Sequence, residues 1–322
     1  MKRSMRTVRL MCLYFVIHCI CIMTSPAHAR NINDALGKTS FTWLKAIPDA
    51  TITASGECLS ARDGLTGILI HPAALAGVTK GTGKLSYVSH YVDTQYGSVG
   101  YAGEYKERFL GVRFTYVNYG EFIRTGKTGE RLGTFTAGDM GISINIGRQV
   151  RNDLKIGAMV SYLNSRIDDF TARAALVDLG VLYYPPFNGL TVGAVLRNLG
   201  KVTKSYTSGY SETLPVTFSF GVRKKLEHSP FTLYADVIFP NDDDIAYAFG
   251  LEASVKDILF LYAGTKSMSE IDFESRKMET DYAGITTFGI GLTLDRYRFN
   301  YAYCPDDVLD DIHKITLCLT VP

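Results

Sequence analysis

"MGISINIGRQVRNDLKIGAMVSY", Met140 to Tyr162, carries the decision about the fold. In its first half Met140, Ile142, Ile144 and Ile146 alternate with Gly141, Ser143, Asn145 and Gly147. Successive side chains of a strand point to opposite faces, so one face here is apolar and the other almost bare. The apolar face meets either a protein core or lipid, and the rest of the chain has to say which.

From Gly83 onward the same two-residue period returns in segment after segment. Leu110/Val112/Phe114/Tyr116, Leu190/Val192/Ala194/Leu196, Val216/Phe218/Phe220/Val222 and Ile245/Tyr247/Phe249/Leu251/Ala253 repeat it. Phe288/Ile290/Leu292, Tyr297/Phe299/Tyr301/Tyr303 and Ile315/Leu317/Leu319/Val321 continue it toward the C-terminus. Opposite them lie small or polar residues such as Gly111/Arg113/Thr115, Thr217/Ser219/Gly221/Arg223 and Thr287/Gly289/Gly291/Thr293. Fourteen such segments fit between Gly83 and the end of the chain. A composition of 30 Gly, 20 Tyr and 17 Phe against one Trp agrees with β structure.

After residue 30 no apolar run approaches the ~18–20 residues of a membrane helix, so hydropathy alone would give a soluble secreted β protein. The connections argue for a different medium. Short turns centred on Tyr105–Glu107, Gln149–Asn152, Pro185–Asn188, Glu227–Ser229, Lys256–Asp257 and Asp295–Arg296 all follow even-numbered strands. The three longest connections, Glu121–Gly133, Gly200–Glu212 and Lys266–Asp281, all follow odd-numbered ones. Short turns on one rim and long loops on the other characterise an outer-membrane barrel, and only a closed barrel satisfies its backbone while turning an apolar side to lipid. The expected fold is therefore all-β, a 14-stranded antiparallel transmembrane β-barrel over residues 83–322.

The N-terminus fits export to such a membrane. Lys2, Arg3, Arg6 and Arg9 precede an apolar run from Leu10 to Met23 and the small-x-small site Ala27-His28-Ala29, which together read as a signal peptide over residues 1–29. His18 stands before Cys19, where a lipoprotein signal needs a small residue. Removing four cations takes the net charge from +2 to −2, which leaves no basic footprint for nucleic acid. The mature chain keeps Cys58, Cys304 and Cys318, neither a disulfide framework nor a metal motif, and they read as buried or lumenal single thiols.

Fourteen strands enclose more room than their own side chains fill, so the lumen is a channel or holds a plug. Residues 30–82 supply a candidate hatch. They open on "FTWLKAIP", with Phe41, Trp43, Leu44 and Ile47, and close on "HPAALAG", where Pro72 suits a first helical position and Gly77 a helix end. A small periplasmic domain or a set of helices capping one rim is the competing expectation for this segment.

"HPAAL" at His71–Leu75 resembles the Asn-Pro-Ala signature in the hatch of FadL-type long-chain fatty acid transporters, with His71, Pro72 and Ala73 as the motif and His71 replacing its Asn. Leu132–Asp169, "DLGVLYY…GLTVGAVLRNLG" (Asp178–Gly200) and "YAYCPDDVLDDIHKITLCL" (Tyr301–Leu319) are more specifically similar to the PorV/PorQ branch, nearest to the FadL-like proteins of spirochaetes. The resemblance implies a hatch-plugged barrel of fourteen strands. In transport members a hydrophobic substrate binds inside and leaves sideways through the wall.

Transport of an amphiphile needs no catalysis, no cofactor and no metal, only an apolar lining and one or two inward cations for an anionic end. Arg113, Arg197 and Arg223 fall on the small-residue face and are the candidates for that end; Phe41, Trp43 and Leu44 are candidates for contact with the chain of the substrate. Inward arginines equally suit a structural network with inward carboxylates such as Asp178 or Asp236, and the three apolar residues equally suit a seal. His71, His90, His228 and His313 sit in no nucleophile context and no metal spacing, and "GKTGE" (Gly126–Glu130) lacks the spacing of a phosphate loop. Three readings follow. The first is an outer-membrane channel for passive uptake of long-chain fatty acids or similar hydrophobic compounds, in contact with outer-membrane lipid. The second is a PorV/PorQ-like component that binds secretion-system subunits, and the third is a soluble secreted β protein.

Overall fold

The computed structural model describes residues 39–78, 81–89, 94–106, 108–209, 212–267, 270–271, 278–279, 285–305 and 311–321. The expected signal peptide at 1–29 and His90 lie outside them. Fourteen strands close into one barrel: β1 (Thr82–Ser89), β2 (Gln95–Tyr105), β3 (Arg108–Thr125), β4 (Arg131–Arg151), β5 (Leu154–Ile167), β6 (Phe170–Tyr183), β7 (Leu190–Lys204), β8 (Thr217–Lys225), β9 (Phe231–Pro240), β10 (Ala246–Val255), β11 (Leu259–Lys266), β14 (Ile285–Leu294), β15 (Tyr297–Cys304) and β16 (Ile312–Thr320). Each pairs antiparallel with its neighbours, and β1 pairs with β16 to complete the ring. A separate two-stranded hairpin, β12 (Glu270–Ile271) and β13 (Met278–Glu279), lies in the connection between β11 and β14.

Ile142, Ile144 and Ile146 are 50%, 60% and 43% exposed, while Ser143 and Asn145 between them are buried. The same holds around the ring, where Val99, Val112, Phe249, Leu261, Ile290 and Ile315 all face outward. A continuous outward apolar band on a ring without edges is stable only against hydrocarbon, and the wall spans a membrane. Among the described residues no helix is long and apolar enough to cross one. Exposed aromatics mark both limits of the band: Tyr101, Tyr105, Phe187 and Tyr297 toward the short turns, Tyr87, Tyr162, Tyr247 and Tyr301 toward the long loops.

The wall is uneven. β3 has 18 residues and β4 has 21, against 8–10 in β8–β11 and β14–β16, and a crossing strand needs only ~9–11. This corrects one expectation: most of 121–133 is strand, not loop. β3 and β4 stay paired past a register shift at Asn118/Glu121, with Phe122 stacked on Phe135 at 5.3 Å, and only 126–130 turns. Glycines and charges there read as a loop, although backbone pairing needs neither an apolar face nor a core. β7 likewise runs on to Lys204, so its loop begins at 205, beyond the expected start at Gly200.

Inside the ring, residues 41–76 form short helical turns at Thr42–Lys45, Ala50–Ala54, Gly64–Gly67 and Pro72–Leu75. Asp49 caps the second by accepting from Ile52 N at 2.9 Å, and Asp63 caps the third by accepting from Gly64 N at 2.7 Å. Ile47, Ile52, Leu59 and Ile70 form the segment's own apolar centre. The bareness of the inward face is what admits this plug. A Cβ at Gly193 would lie 1.8 Å from Ser60 O, and one at Gly264 2.0 Å from Gly56 N. Only glycine lets the hatch backbone approach the wall so closely.

Candidate functional site

The hatch is tied to the wall by charge as well as by fit. Lys84 of β1 reaches Asp49 at 2.5 Å, and Lys155 of β5 reaches Asp63 at 2.8 Å. Lys314 of β16 donates to Ile47 O at 3.2 Å and to Thr53 Oγ1 at 2.9 Å. Asp236 of β9 accepts the N–H groups of Leu59 (2.8 Å) and Ser60 (2.7 Å). Arg62, fully buried, lies 3.6 Å over the Tyr234 ring and 3.6 Å from Glu252 of β10. Burial works to raise the carboxyl of Glu57, but Lys266 at 2.8 Å and Lys314 at 3.9 Å prevail and hold it down to about 2. Breaking such a buried pair by removing one partner costs about 3–5 kcal/mol, because a charge is left uncompensated.

His71, which stands where the resembling motif has Asn, caps the turn that follows it. Its Nδ1 accepts from Ala73 N at 3.1 Å, which caps the Pro72–Leu75 turn, and its Nε2 lies 2.9 Å from Ser60 O. One nitrogen must accept and the other donate, so the ring is the neutral Nε2–H tautomer. Burial lowers its pKa to about 4, although the bond to Ser60 works the other way. Pro72 and Ala73 are buried against the wall, with Pro72 O only 2.2 Å from where a Cβ on Gly157 would sit.

Arg113 and Arg197 meet in the lumen. They line a cavity of about 20 Å³ with Trp43, Leu44, Tyr96 and Asp178. Arg113 Nη1 donates to Leu69 O at 2.9 Å and Arg197 Nη2 to Leu44 O at 2.9 Å, so each points a guanidinium at a hatch carbonyl. Among the described residues neither forms an ion pair with Asp178; Asp178 Oδ1 instead accepts from Asn198 N at 2.6 Å. Arg113 Nε is buried without a partner. Arg223 does not join them: it stands on β8 across from Thr191 and Tyr234. Phe41 and Leu44 pack on Leu163, Leu176 and Leu214, and Trp43 meets Tyr96 edge to face at 5.8 Å.

The wall beside this cluster is irregular. Val177 pairs with Leu199 and Leu179 with Leu196, so Asp178 faces two residues, Arg197 and Asn198. Asn198 takes φ +60°, and its Nδ2 donates to Pro215 O at 2.9 Å. This is a β-bulge: one residue too many on β7, re-aimed by a left-handed Asn and satisfied by a carboxylate in place of a ladder carbonyl.

A second, larger cavity of about 270 Å³ lies beside the hatch. Ile47, Leu59, Ile238, Pro240, Ile285 and Ile312 give it apolar walls, and Lys45, Lys266 and Lys314 together with Glu57, Asp236, Asp243 and Asp244 give it charged ones. Arg197 lines both cavities and stands between them. An apolar cavity of ~150 Å³ holds a benzene, so this space admits a single-ring molecule or a short amphiphile without moving the plug. Sequence pattern alone did not single out Asp49, Glu57 or Lys84. For Lys84 the signal was present, because it shares the inward parity of Ser86 and Val88.

No protein-family model matches the sequence, and neither does any curated protein sequence. Solved structures do match in fold. The Pseudomonas putida toluene transporter TodX aligns with TM-score 0.60 at 13% identity, covering 84% of this chain and 96% of its own. The Ralstonia pickettii toluene transporter TbuX gives 0.59 at 10% identity over 85% and 98%. The CymD monoaromatic hydrocarbon channel gives 0.59 at 11% over 85% and 97%. At these identities the likeness is one of fold, and it extends over nearly the whole of each transporter.

Proposed function

We propose that the chain is an outer-membrane channel for passive uptake of hydrophobic compounds, related to the FadL-type transporters that its hatch motif resembles. The observation that carries this reading is the 270 Å³ cavity, lined by both apolar and charged residues and bordered by Arg197 inside a plugged barrel. Its size favours a single-ring compound or a short fatty acid over a fully enclosed long chain, in keeping with the toluene and monoaromatic hydrocarbon carriers that share the fold. Long-chain fatty acids remain in the proposal with only part of the molecule enclosed. Of the expected ligand residues Arg197 lines this cavity and faces the polar end, with Ile47, Leu59 and Ile238 toward the apolar one, whereas Arg113, Trp43 and Leu44 line the small cavity.

The test is binding by the purified, refolded barrel of labelled toluene, hexanoate and palmitate, followed by uptake in cells that lack their own importer. Saturable binding of at least one of these, weakened by Arg197→Gln for the acids and retained for toluene, is the expected result. Absence of binding of all three rejects the proposal. A second reading, a PorV/PorQ-like role in secretion, draws support from the projecting β3–β4 hairpin, where Phe122, Ile123 and Leu132 are exposed beyond the length a membrane crossing needs. Co-purification of secreted protein through that hairpin, lost on Ile123→Ser/Leu132→Ser, would favour it.

A further inference from the structure

On β5, β6 and β7 the outward apolar face ends toward the long loops in cations. Outward positions run Val160, Tyr162, Asn164, Arg166 on β5; Leu179, Val177, Ala175, Arg173 on β6; and Leu199, Lys201, then Lys204 after a register shift, on β7. Strand pairing brings them side by side. Asn164 lies opposite Arg173, Arg166 opposite Thr171, Arg173 opposite Lys204, and Lys201 opposite Ala175. All four cations are exposed. Arg166 Nε donates to Asp168 O at 2.8 Å and Lys204 Nζ to Thr171 Oγ1 at 2.5 Å, while the Asp168 carboxylate is taken by Arg124 at 2.5 Å. Among the described residues the Arg173 guanidinium and the Lys201 ammonium have no partner.

Like charges on directly paired strands repel unless an anion lies among them. The cluster is not a general property of this rim, because the β9–β10 loop carries Asp242, Asp243 and Asp244, and Asp311 precedes β16. What distinguishes the cations is continuity with the membrane-facing surface: further along the same outward faces lie Tyr162, Leu179 and Leu199, 47%, 44% and 47% exposed. A molecule that satisfies both surfaces has phosphate oxygens at one end and hydrocarbon at the other. We propose that this patch binds the headgroup phosphate of an anionic lipid in the leaflet on the long-loop side. The Arg173 fork grips the phosphate bidentately, Lys201 adds a second charge, and the acyl chains lie on Tyr162, Leu179 and Leu199.

Native mass spectrometry of the detergent-solubilised full-length mature chain tests this, with phosphatidylglycerol, phosphatidylcholine of the same acyl chains, and inorganic phosphate as probes. The expected result is retention of one phosphatidylglycerol at about tenfold or more lower concentration than phosphatidylcholine. Arg173→Gln/Lys201→Gln abolishes that preference, and Arg108→Gln/Arg148→Gln at the opposite rim preserves it. Heat-dependent gel mobility reports folding, and Lys201→Gln alone gives the same readout should the double variant not fold. An unchanged preference in the Arg173/Lys201 variant, an equal loss in the Arg108/Arg148 variant, or displacement of the lipid by equimolar inorganic phosphate overturns the proposal.

Discussion

His71 must stay neutral to do two things at once, accepting from Ala73 N and donating to Ser60 O. In the unfolded chain an imidazole titrates near 6.5, and here burial holds it at about 4. Between these values the unfolded state binds the extra proton, so the contribution of His71 is complete above about 6.5 and is lost as the pH falls toward 4. Protection factors of the amides of residues 71 and 73–76, corrected for the intrinsic slowing of exchange in acid, should therefore fall across that window, and His71→Asn should keep the cap through its side-chain oxygen and remove this pH dependence. Unchanged protection factors in the wild-type chain between pH 7 and 4 would refute it. Glu57 adds a more acidic window: its depressed carboxyl contributes fully above about 4.5, and the contribution disappears as pH falls through about 2. Glycine gives the complementary steric test. Gly193→Ala sets a methyl 1.8 Å from Ser60 O and should cost about 1–3 kcal/mol or displace the hatch, whereas Gly83→Ala, with nothing nearer than 4.0 Å, should be silent in thermal unfolding in detergent.

At the level of elements, the sequence made strands and short turns legible and hid irregularities. Period-two alternation identifies a strand wherever one face is greasy, which is why β3, β4, β8 and β16 were readable. It fails where both faces are wet, as in the outer part of the β3–β4 hairpin, because hydrogen-bonded pairing leaves no mark on side-chain polarity there. The β6–β7 bulge was invisible for a related reason: one residue of excess shows only when two strands are aligned, and a single sequence does not supply their register. Its chemistry gives a prediction. Asp178→Ala leaves the Asn198 N–H without its acceptor and should cost about 1–3 kcal/mol of barrel stability. Asp178→Asn, with an oxygen still available, should cost less. An unshifted midpoint for Asp178→Ala, read from urea unfolding in lipid vesicles, would show that the carboxylate is not the bulge's support. Of the candidate ligand residues, Arg113 and Arg197 were legible as inward cations, but that they point at Leu69 O and Leu44 O was not, since only the path of the hatch decides it.

For the molecule as a whole, the governing fact is the medium outside. Ile144→Arg on the lipid face of β4 should cost about 2–4 kcal/mol when the protein is folded into vesicles. It should cost far less in a soluble β protein that exposes the same side chain to water, so a near-zero change would contradict the membrane assignment. The plug also bears on how the ring is completed. Asp49 grips Lys84 of the first strand, while Ala50 N takes Thr316 Oγ1 at 3.0 Å and Thr53 takes Lys314, both of the last. The stopper thus straddles the seam where the two ends of the wall are sewn together. A chain cut short before its final strand lacks both a zipper and an anchor for its cork, so the cell's insertion machinery would meet an unmistakably unfinished product rather than a leaky pore.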